Sequence, residues 1–303
     1  MTLDRLAPAI FVLLWSSGWV LAKYVGPYAD PFTLLALRNF LTAVAFAAIV
    51  GFAGASWLRR PRDIVHALVT GVFLHGLYLA GVWWAVRHGV PAALSGIIAG
   101  LQPLMTVAAA PLMIGERVSR LQVLGIFLGF VGISIAVLPR VLAIDPGVTP
   151  ISLVAVGVNV LGMASVTLGT LYQKKFLPHG DLRAVATLQY VGALMVTLPL
   201  ALVFEPEHRL VFGWPLVFIL FWSVVVLSMG AVGLLLYLIR RGQVSRAASL
   251  IYLVPPLAAV QAAIVFGEAL TGPMILGTVI AVTGVWLTNR KAKAQPVEVT
   301  PAE

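Results

Sequence analysis

The chain has 303 residues, of which 60% are hydrophobic and 10% are charged, and its mean hydropathy is +1.01. A soluble protein would carry about 25% charged residues, so this composition excludes a soluble globular protein and indicates repeated membrane-crossing helices. The net charge of +9 comes from basic residues in turns between apolar runs, where they set orientation in a membrane, so no nucleic-acid partner is expected. The chain has no cysteine and no motif of clustered metal ligands, so neither a metal nor a cofactor is predicted.

Ten apolar runs, each close to membrane-spanning length, follow one another with short breaks between them. They predict an all-α integral membrane protein with ten transmembrane helices, called spans 1 to 10 here. The spans cover roughly residues 7–26, 32–53, 64–86, 92–114, 121–138, 151–172, 183–204, 214–238, 247–266 and 273–289. The turns carry prolines and are too short to hold a separate soluble domain.

The distribution of Lys and Arg over the turns predicts the orientation of the spans. Fifteen of the 20 basic residues fall on one side of the predicted membrane and five on the other. Basic residues accumulate on the cytoplasmic side, so both termini are expected in the cytoplasm. Residues 1–145 then form a first five-helix repeat, residues 146–289 form a second one of opposite orientation, and residues 290–303 form a polar cytoplasmic tail.

An internal repeat supports this division into two halves. Seven residues recur at an offset of 153, and then of 152: Arg87, Gly89, Pro103, Gly115, Glu116, Gly125 and Gly132 match Arg240, Gly242, Pro256, Gly267, Glu268, Gly277 and Gly284. The turn at 87–89 has one basic residue, whereas its copy at 240–246 has three. Equivalent helices with exchanged turn charges indicate repeats inverted in the membrane, an architecture common in alternating-access carriers.

These features resemble a known transporter family. The two five-helix halves, the stretch from Pro31 to Arg38 that starts span 2 and the twin Gly-Glu turns are similar to the EamA-type branch of the drug/metabolite transporter superfamily. The resemblance extends from about Leu6 to Asn289, and within the branch it is strongest to bacterial exporters of amino acids, including aromatic ones. It implies a basket of ten helices around a central cavity between the halves.

Polar and aromatic residues deep in the spans are the candidates for a substrate cavity, because polar groups are expensive at mid-membrane depth. Several share one helix face, which predicts that they point into a common cavity, although bonding to their own backbone or packing in the core would also explain single residues. The candidates are Trp15, Ser16, Trp19, His75, Tyr78, Ser95, Gln102, Asn159, Met163, Tyr237 and Tyr252.

Two prolines stand at equivalent places in the repeat, in the middle of spans 4 and 9. Pro103 and Pro256 each remove one helical hydrogen bond, so they predict either a hinge between the halves or a purely structural bend. Spans 5 and 10 are rich in small residues spaced four apart, which favours close helix packing. That packing is expected either against the parent half or as the seam of a homodimer.

Charged residues are absent from the predicted span centres. No Asp or Glu lies there, and His75 alone could titrate at that depth, so facilitated movement is favoured over coupling to protons through a carboxylate. No Lys or Arg lies at the midplane to bind a phosphate. Arg38 is placed nearer the outer face, where it is expected to snorkel to the surface or to meet a substrate carboxylate during release.

The sequence therefore predicts an exporter in the bacterial inner membrane that moves small neutral metabolites, foremost apolar or aromatic amino acids, by alternating access. Its expected partners are the small-molecule substrate and the lipid bilayer. Two alternatives stay open: a proton-coupled antiporter of drugs or other metabolites that uses His75, and a pore or lipid-moving scaffold. No H-E-x-x-H, G-x-S-x-G or Asp-rich motif occurs, so an enzyme is not expected.

Overall fold

The computed structural model describes residues 2–52, 54, 56–144, 149–177, 180–231, 234 and 253–288, and its regular elements there are helices. The α-helices are α1 (Thr2–Tyr24), α2 (Pro31–Phe52), α3 (Pro61–Gly71), α4 (Tyr78–Arg87), α5 (Ala92–Ile98), α6 (Leu101–Ile114), α7 (Arg120–Val141), α8 (Leu153–Phe176), α9 (Leu182–Phe204), α10 (Trp214–Phe221), α11 (Val254–Phe266) and α12 (Gly272–Thr288). Two stretches of π-helix complete the list: π1 (Val72–Leu77) joins α3 to α4, and π2 (Trp222–Ala231) continues α10.

Six helices in the described residues are long and apolar enough to cross a membrane by length and composition. They are Pro31–Phe52, Pro61–Arg87, Ala92–Ile114, Arg120–Val141, Leu153–Phe176 and Leu182–Phe204. Four shorter apolar helices cover Ala9–Tyr24, Trp214–Gly230, Val254–Phe266 and Gly272–Thr288. These segments overlap the predicted spans one by one, and they confirm a helical, multi-pass membrane protein, while the count of ten crossings stays a prediction.

Several helix starts are stabilised by side chains that bind the otherwise unpaired amide groups of the first turn. Ser119 and Gln122 form a capping box at the start of α7, in which each side chain bonds the other residue's amide. Asp181 caps α9 by accepting from the amide of Arg183 at 3.0 Å. Hydrogen bonds from the Arg183 guanidinium lower the pKa of the Asp181 carboxyl to about 2, so this cap is charged at neutral pH.

One cap ties the two halves of the chain together. Glu205 ends α9, and its carboxylate accepts from the amides of Phe32 at 2.8 Å and of Thr33 at 2.7 Å, in the first turn of α2. A carboxylate stabilises a helix N-terminus through these bonds and through the helix dipole. The neighbouring helices α2 and α9 are thereby held in register, and they carry Arg38 and Tyr190, which recur below.

The glycine-rich spans 5 and 10 pack on each other within one chain, as α7 and α12. A methyl group added to Gly125 would lie 2.6 Å from the carbonyl oxygen of Gly284, and one added to Gly132 would lie 2.6 Å from that of Gly277. Only residues without a side chain allow backbones to approach this closely. The two glycine faces fill each other across the two halves, which corrects the expectation that each packs against its own half, while a homodimer stays a prediction.

The core lies where the two halves meet. All seven residues of α5 are buried, and α5 packs on α11, where a methyl group at Gly96 would lie 2.7 Å from the Cβ of Ala258. Helix α1 also packs on α11, and α6 packs on α8. These crossings leave a cavity between the inner faces of the helices.

Candidate functional site

A cavity of about 300 Å³ lies inside the helix assembly. Side chains from α1, α2, π1, α4, α8, α9, π2, α11 and α12 line it, together with the junction of α5 and α6. The structure brings together eight of the residues that the sequence analysis singled out: Trp15, Trp19, Arg38, His75, Tyr78, Gln102, Pro103 and Met163. Residues from both halves of the chain therefore share one cavity.

Three further candidates lie away from the cavity wall. Ser16 donates to the carbonyl oxygen of Leu13 at 3.1 Å, and the Asn159 amide donates to the Ser95 hydroxyl at 2.7 Å. All three are fully buried and none lines the cavity, contrary to the expectation. Ser16 bonds within its own helix and Asn159 bonds Ser95 across helices through its amide nitrogen, while the Asn159 Oδ1 is buried without a partner. Tyr237 and Tyr252 lie outside the described residues.

Much of the wall is aromatic. Trp15, Trp19 and Tyr78 share it with Trp83, which sequence reasoning missed because it sits near the end of a predicted span. Trp19 and Trp83 are buried, and Met163 adds a polarisable side chain from α8. Flat rings and a thioether can pack on an apolar or aromatic substrate group without matching it in detail.

Span 4 is broken where it meets the cavity. Helix α5 ends at Ile98 and α6 begins at Leu101. Between them the amide of Gly100 bonds the carbonyl of Ile97 at 2.9 Å and that of Gln102 bonds Ala99 at 3.1 Å, so the hydrogen bonds span three residues instead of four. In a regular helix the carbonyl of Ala99 would accept a hydrogen bond from the amide of residue 103, but Pro103 has no amide hydrogen. The predicted bend is thus present, just before Pro103, while its role as a hinge stays a prediction.

The second predicted hinge has a different setting. Pro255 and Pro256 lie in the first turn of α11, which begins at Val254. Pro255 lines the cavity and Pro256 does not. The residues just before Leu253 lie outside the described part of the chain, so a hinge at Pro256 stays a prediction.

Both π-helical stretches face the cavity. His75 lies in π1, while Ser223 and Ser228 lie in π2, and all three line the wall. Single π turns are rare and are frequent at functional sites. No sequence pattern predicts these π-helical stretches. The repeat does relate their positions, however, since Ser228 of π2 follows His75 of π1 by 153 residues.

Arg38 lies in the cavity wall rather than at a membrane surface. It is 6% exposed, its Nη2 donates to the Ser228 hydroxyl at 2.9 Å and its Nε reaches the Ser223 carbonyl at 3.5 Å. Its Nη1 is buried and has no hydrogen-bond partner. Arg38 stands seven residues into α2, about 10 Å along the helix axis. The expectation of a snorkelling side chain is corrected, and so is the expectation of an uncharged cavity.

Tyr190 is the cavity residue that the sequence analysis missed most clearly. Its ring is nearly parallel to that of His75 at 4.5 Å and to that of Phe46 at 5.9 Å. The Arg38 guanidinium carbon lies 6.0 Å from the Tyr190 ring centre. The repeat does not single out Tyr190, because its matched positions begin at Arg87, well after Arg38.

The helix assembly is tied differently at its two ends. At the end where α1 stops and α5 starts, called the Glu268 end, Lys23 pairs with Glu268 at 2.6 Å. The Glu268 carboxylate, 7% exposed, also accepts from the amides of Ala92 and Ala93 at 3.0 and 2.8 Å.

At the opposite end, called the Glu116 end, Lys174 pairs with Glu116 at 2.5 Å and both side chains are more than half exposed. Glu116 and Glu268 are equivalent in the repeat, and each pairs with a lysine at the end of the first helix of the other half. The carboxylate of the pair is thus buried and caps α5 at one end, whereas both partners of the equivalent pair are solvent-exposed at the other.

Comparison with known proteins gives a family match over most of the chain. The model of the EamA-like transporter family matches residues 6–138 and again residues 153–290. A solved crystal structure at 22% identity superposes with a TM-score of 0.63 over 94% of this chain and 97% of the other, a likeness of fold.

Curated relatives cover nearly the whole chain. An uncharacterized transporter of Bacillus subtilis is 28% identical, over 97% of this chain and 94% of its own length. A probable amino-acid metabolite efflux pump of Salmonella typhimurium is 26% identical, over 94% of each protein. A probable amino-acid metabolite efflux pump of Escherichia coli is 25% identical, also over 94% of each.

Proposed function

Because the chain belongs to the EamA-like transporter family, we propose that it exports small neutral metabolites across the bacterial inner membrane, foremost apolar or aromatic amino acids. Membership of the family makes it a membrane transporter. The observation that carries the substrate class is the aromatic wall formed by Trp15, Trp19, Tyr78 and Trp83. A cavity of about 300 Å³ is at the small end of ligand pockets, which suits one amino acid. Two relatives named as probable amino-acid metabolite efflux pumps support this proposal.

The architecture that we propose is ten transmembrane helices in two inverted five-helix repeats, 1–145 and 146–289, with both termini in the cytoplasm. The two separate matches to the family model, at 6–138 and 153–290, support two units. Helix packing also supports two equivalent repeats, because each half packs on the other in the same way. Span 1 packs on span 9, and its repeat-equivalent, span 6, packs on span 4, while spans 5 and 10 pack on each other.

The unequal ends of this architecture support alternating access as the mechanism. With the termini in the cytoplasm, the Glu268 end faces outward, and there Lys23, Glu268 and the start of α5 hold the two halves together. The exposed Glu116–Lys174 pair marks the cytoplasmic end. Rocking of the halves about the break before Pro103 would exchange which pair is buried, and would thereby open the cavity to the other side.

We propose that transport is facilitated, with no coupling to protons. No carboxylate lines the cavity among the residues that the structure describes. The rival mode, a proton-coupled antiporter using His75, has one observation in its favour, since His75 does line the cavity. A proton on His75 would, however, add a second positive charge to a cavity that already holds Arg38, and like charges in a poorly hydrated space repel strongly.

Counterflow in proteoliposomes tests the proposed function. Vesicles with the purified full chain are loaded with unlabelled phenylalanine, leucine, glutamate or lysine, and the uptake of labelled phenylalanine is measured. We expect phenylalanine and leucine inside the vesicles to accelerate uptake and glutamate and lysine to have no effect. A pore would give equal uptake whatever the vesicles contain, and the absence of exchange with every amino acid would contradict the proposal.

A further inference from the structure

The guanidinium of Arg38 is a buried charge with an unused donor. The residue is 6% exposed, its Nη1 has no hydrogen-bond partner, and its Nη2 donates to the neutral hydroxyl of Ser228. A guanidinium offers five N–H donors in a rigid planar fork. The part of this fork that carries Nη1 remains unpaired beside the cavity that Arg38 lines.

The protein supplies no counter-charge to Arg38 in the residues that the structure describes. The ion pairs there join other partners: Lys23 with Glu268, Lys174 with Glu116, Arg183 with Asp181 and Arg209 with Asp30. An unpaired charge away from water is costly. The Tyr190 ring, 6.0 Å from the guanidinium carbon, compensates a small part of that cost.

A carboxylate is the ligand group that this arrangement fits. We propose that Arg38, oriented by Ser228, is the carboxylate-binding site of the cavity, and that the protein therefore selects substrates that carry a free carboxylate. The proposal rests on the function proposed above and narrows its substrate class. A carboxylate pairs with a guanidinium through two parallel hydrogen bonds. It also neutralises the single formal charge found in the described wall, whereas a phosphate dianion would need a second cation.

The aromatic wall and Arg38 then bind different parts of one substrate molecule. The rings of Trp15, Trp19 and Tyr78 contact the apolar side chain, and Arg38 binds the carboxylate. An amine that lacks the carboxylate brings a second positive charge into the cavity and is excluded by repulsion. Charge selection of this kind does not depend on the exact size of the side chain, so one site serves apolar and aromatic acids alike.

A purely structural role is the rival explanation, in which Arg38 does no more than join α2 to π2 through Ser228 and the Ser223 carbonyl. In that case its loss would weaken folding and lower all binding alike. A bound carboxylate instead predicts a change in the ratio between carboxylate-bearing and carboxylate-free ligands. That ratio is the informative measurement.

Titration of the tryptophan fluorescence of the purified full chain in detergent gives this ratio without any transport step, since Trp15 and Trp19 line the cavity. Three probes of similar shape are compared: phenylalanine, 3-phenylpropionate, which lacks the ammonium group, and phenethylamine, which lacks the carboxylate. We expect both acids to bind at least tenfold more tightly than the amine, because a charge-assisted hydrogen bond is worth about a factor of ten or more. Equal binding of phenethylamine and phenylalanine would overturn the proposal.

Two substitutions separate the effect of the positive charge of Arg38 from that of its planar set of hydrogen-bond donors. Arg38→Gln should reduce the preference for acids at least tenfold, and Arg38→Lys should keep part of it, since lysine retains the charge but not the planar donors. The matched control is Arg140→Gln, because Arg140 is also 6% exposed but does not line the cavity, and its variant should keep the full preference. A folded Arg38→Gln protein with an unchanged preference would overturn the proposal. Should the variant not fold, the wild-type probe series decides by itself.

The outcome also separates this proposal from the proposed function. Tight binding of 3-phenylpropionate and phenylalanine without any amino-acid counterflow would support the carboxylate site and contradict amino-acid export. Counterflow of amino acids together with equal binding of phenethylamine would support export and overturn the carboxylate site.

Discussion

Tyr190 is the residue on which the polar side of the cavity depends. Its ring contacts His75 of π1, Phe46 of α2 and the guanidinium of Arg38 at once, and it is 3% exposed. Aromatic pairs of this geometry are worth about 0.5–1.5 kcal/mol each beyond the area that they bury. One side chain of the second half thus positions two cavity residues of the first half.

Replacing Tyr190 tests this positioning role. Tyr190→Phe keeps the ring, so we expect counterflow of phenylalanine within about twofold of the wild type. Tyr190→Ala removes the ring contacts and leaves a cavity, which should cost about 3 kcal/mol or more of stability and abolish counterflow. Thermal unfolding and counterflow are measured on both variants. Full activity of Tyr190→Ala would show that His75 and Arg38 are held by other contacts.

His75 is the residue at which coupling of transport to protons can be tested. Facilitated movement predicts that phenylalanine uptake into proteoliposomes has the same initial rate with and without an imposed pH gradient at equal internal and external substrate. His75→Asn, which keeps a polar side chain of similar size but carries no titrating group, should show the same independence. A gradient-driven uptake that disappears in His75→Asn would establish the proton-coupled alternative instead.

At the scale of helices, the contact between α7 and α12 determines how the last helix of each half is placed. The backbones touch through glycines on both sides, so added side-chain atoms meet backbone rather than flexible groups. Overpacking of this kind typically costs about 1–3 kcal/mol per site. The contact is not replaceable by other small hydrophobic residues.

Gly132→Val should therefore lower the thermal unfolding temperature of the purified protein markedly. The matched control is Gly157→Ala, because Gly157 lies in α8 with open space around it, and alanine there should be neutral or slightly stabilising. Fluorescence-monitored thermal unfolding in detergent measures both. Equal unfolding temperatures for Gly132→Val and the wild type would contradict the close packing of α7 and α12.

The helices also show what the sequence could predict and what it could not. Hydropathy located the apolar segments, and the proline in span 4 indicated the break that lies between Ile98 and Leu101. Periodicity gives the residues that share a face but not the direction in which that face points. For this reason the sequence predicts Ser95 and Asn159 in the cavity and Arg38 at a surface, whereas the packing of α2, α5 and α8 buries Ser95 and Asn159 away from the cavity and places Arg38 in its wall.

In the proposed mechanism the two ends of the whole molecule open in turn. The Glu268 end is closed by an ion pair with a buried carboxylate and by two backbone amides, whereas the equivalent pair at the Glu116 end is exposed. An exposed ion pair is worth little, about 0–1 kcal/mol. The structure therefore corresponds to a state closed at the Glu268 end, and export requires that this closure be released.

Cross-linking the closed end tests this claim most directly, and the absence of cysteine from the natural chain makes introduced thiols unique. Lys23→Cys and Glu268→Cys are combined, joined by a cleavable bifunctional thiol reagent, and phenylalanine counterflow is measured before linking, after linking and after cleavage. Each single-cysteine variant treated in the same way is the control. We expect linking to stop counterflow, cleavage to restore it, and the reagent to leave the single variants unaffected. Undiminished counterflow in the fully linked protein would contradict the claim.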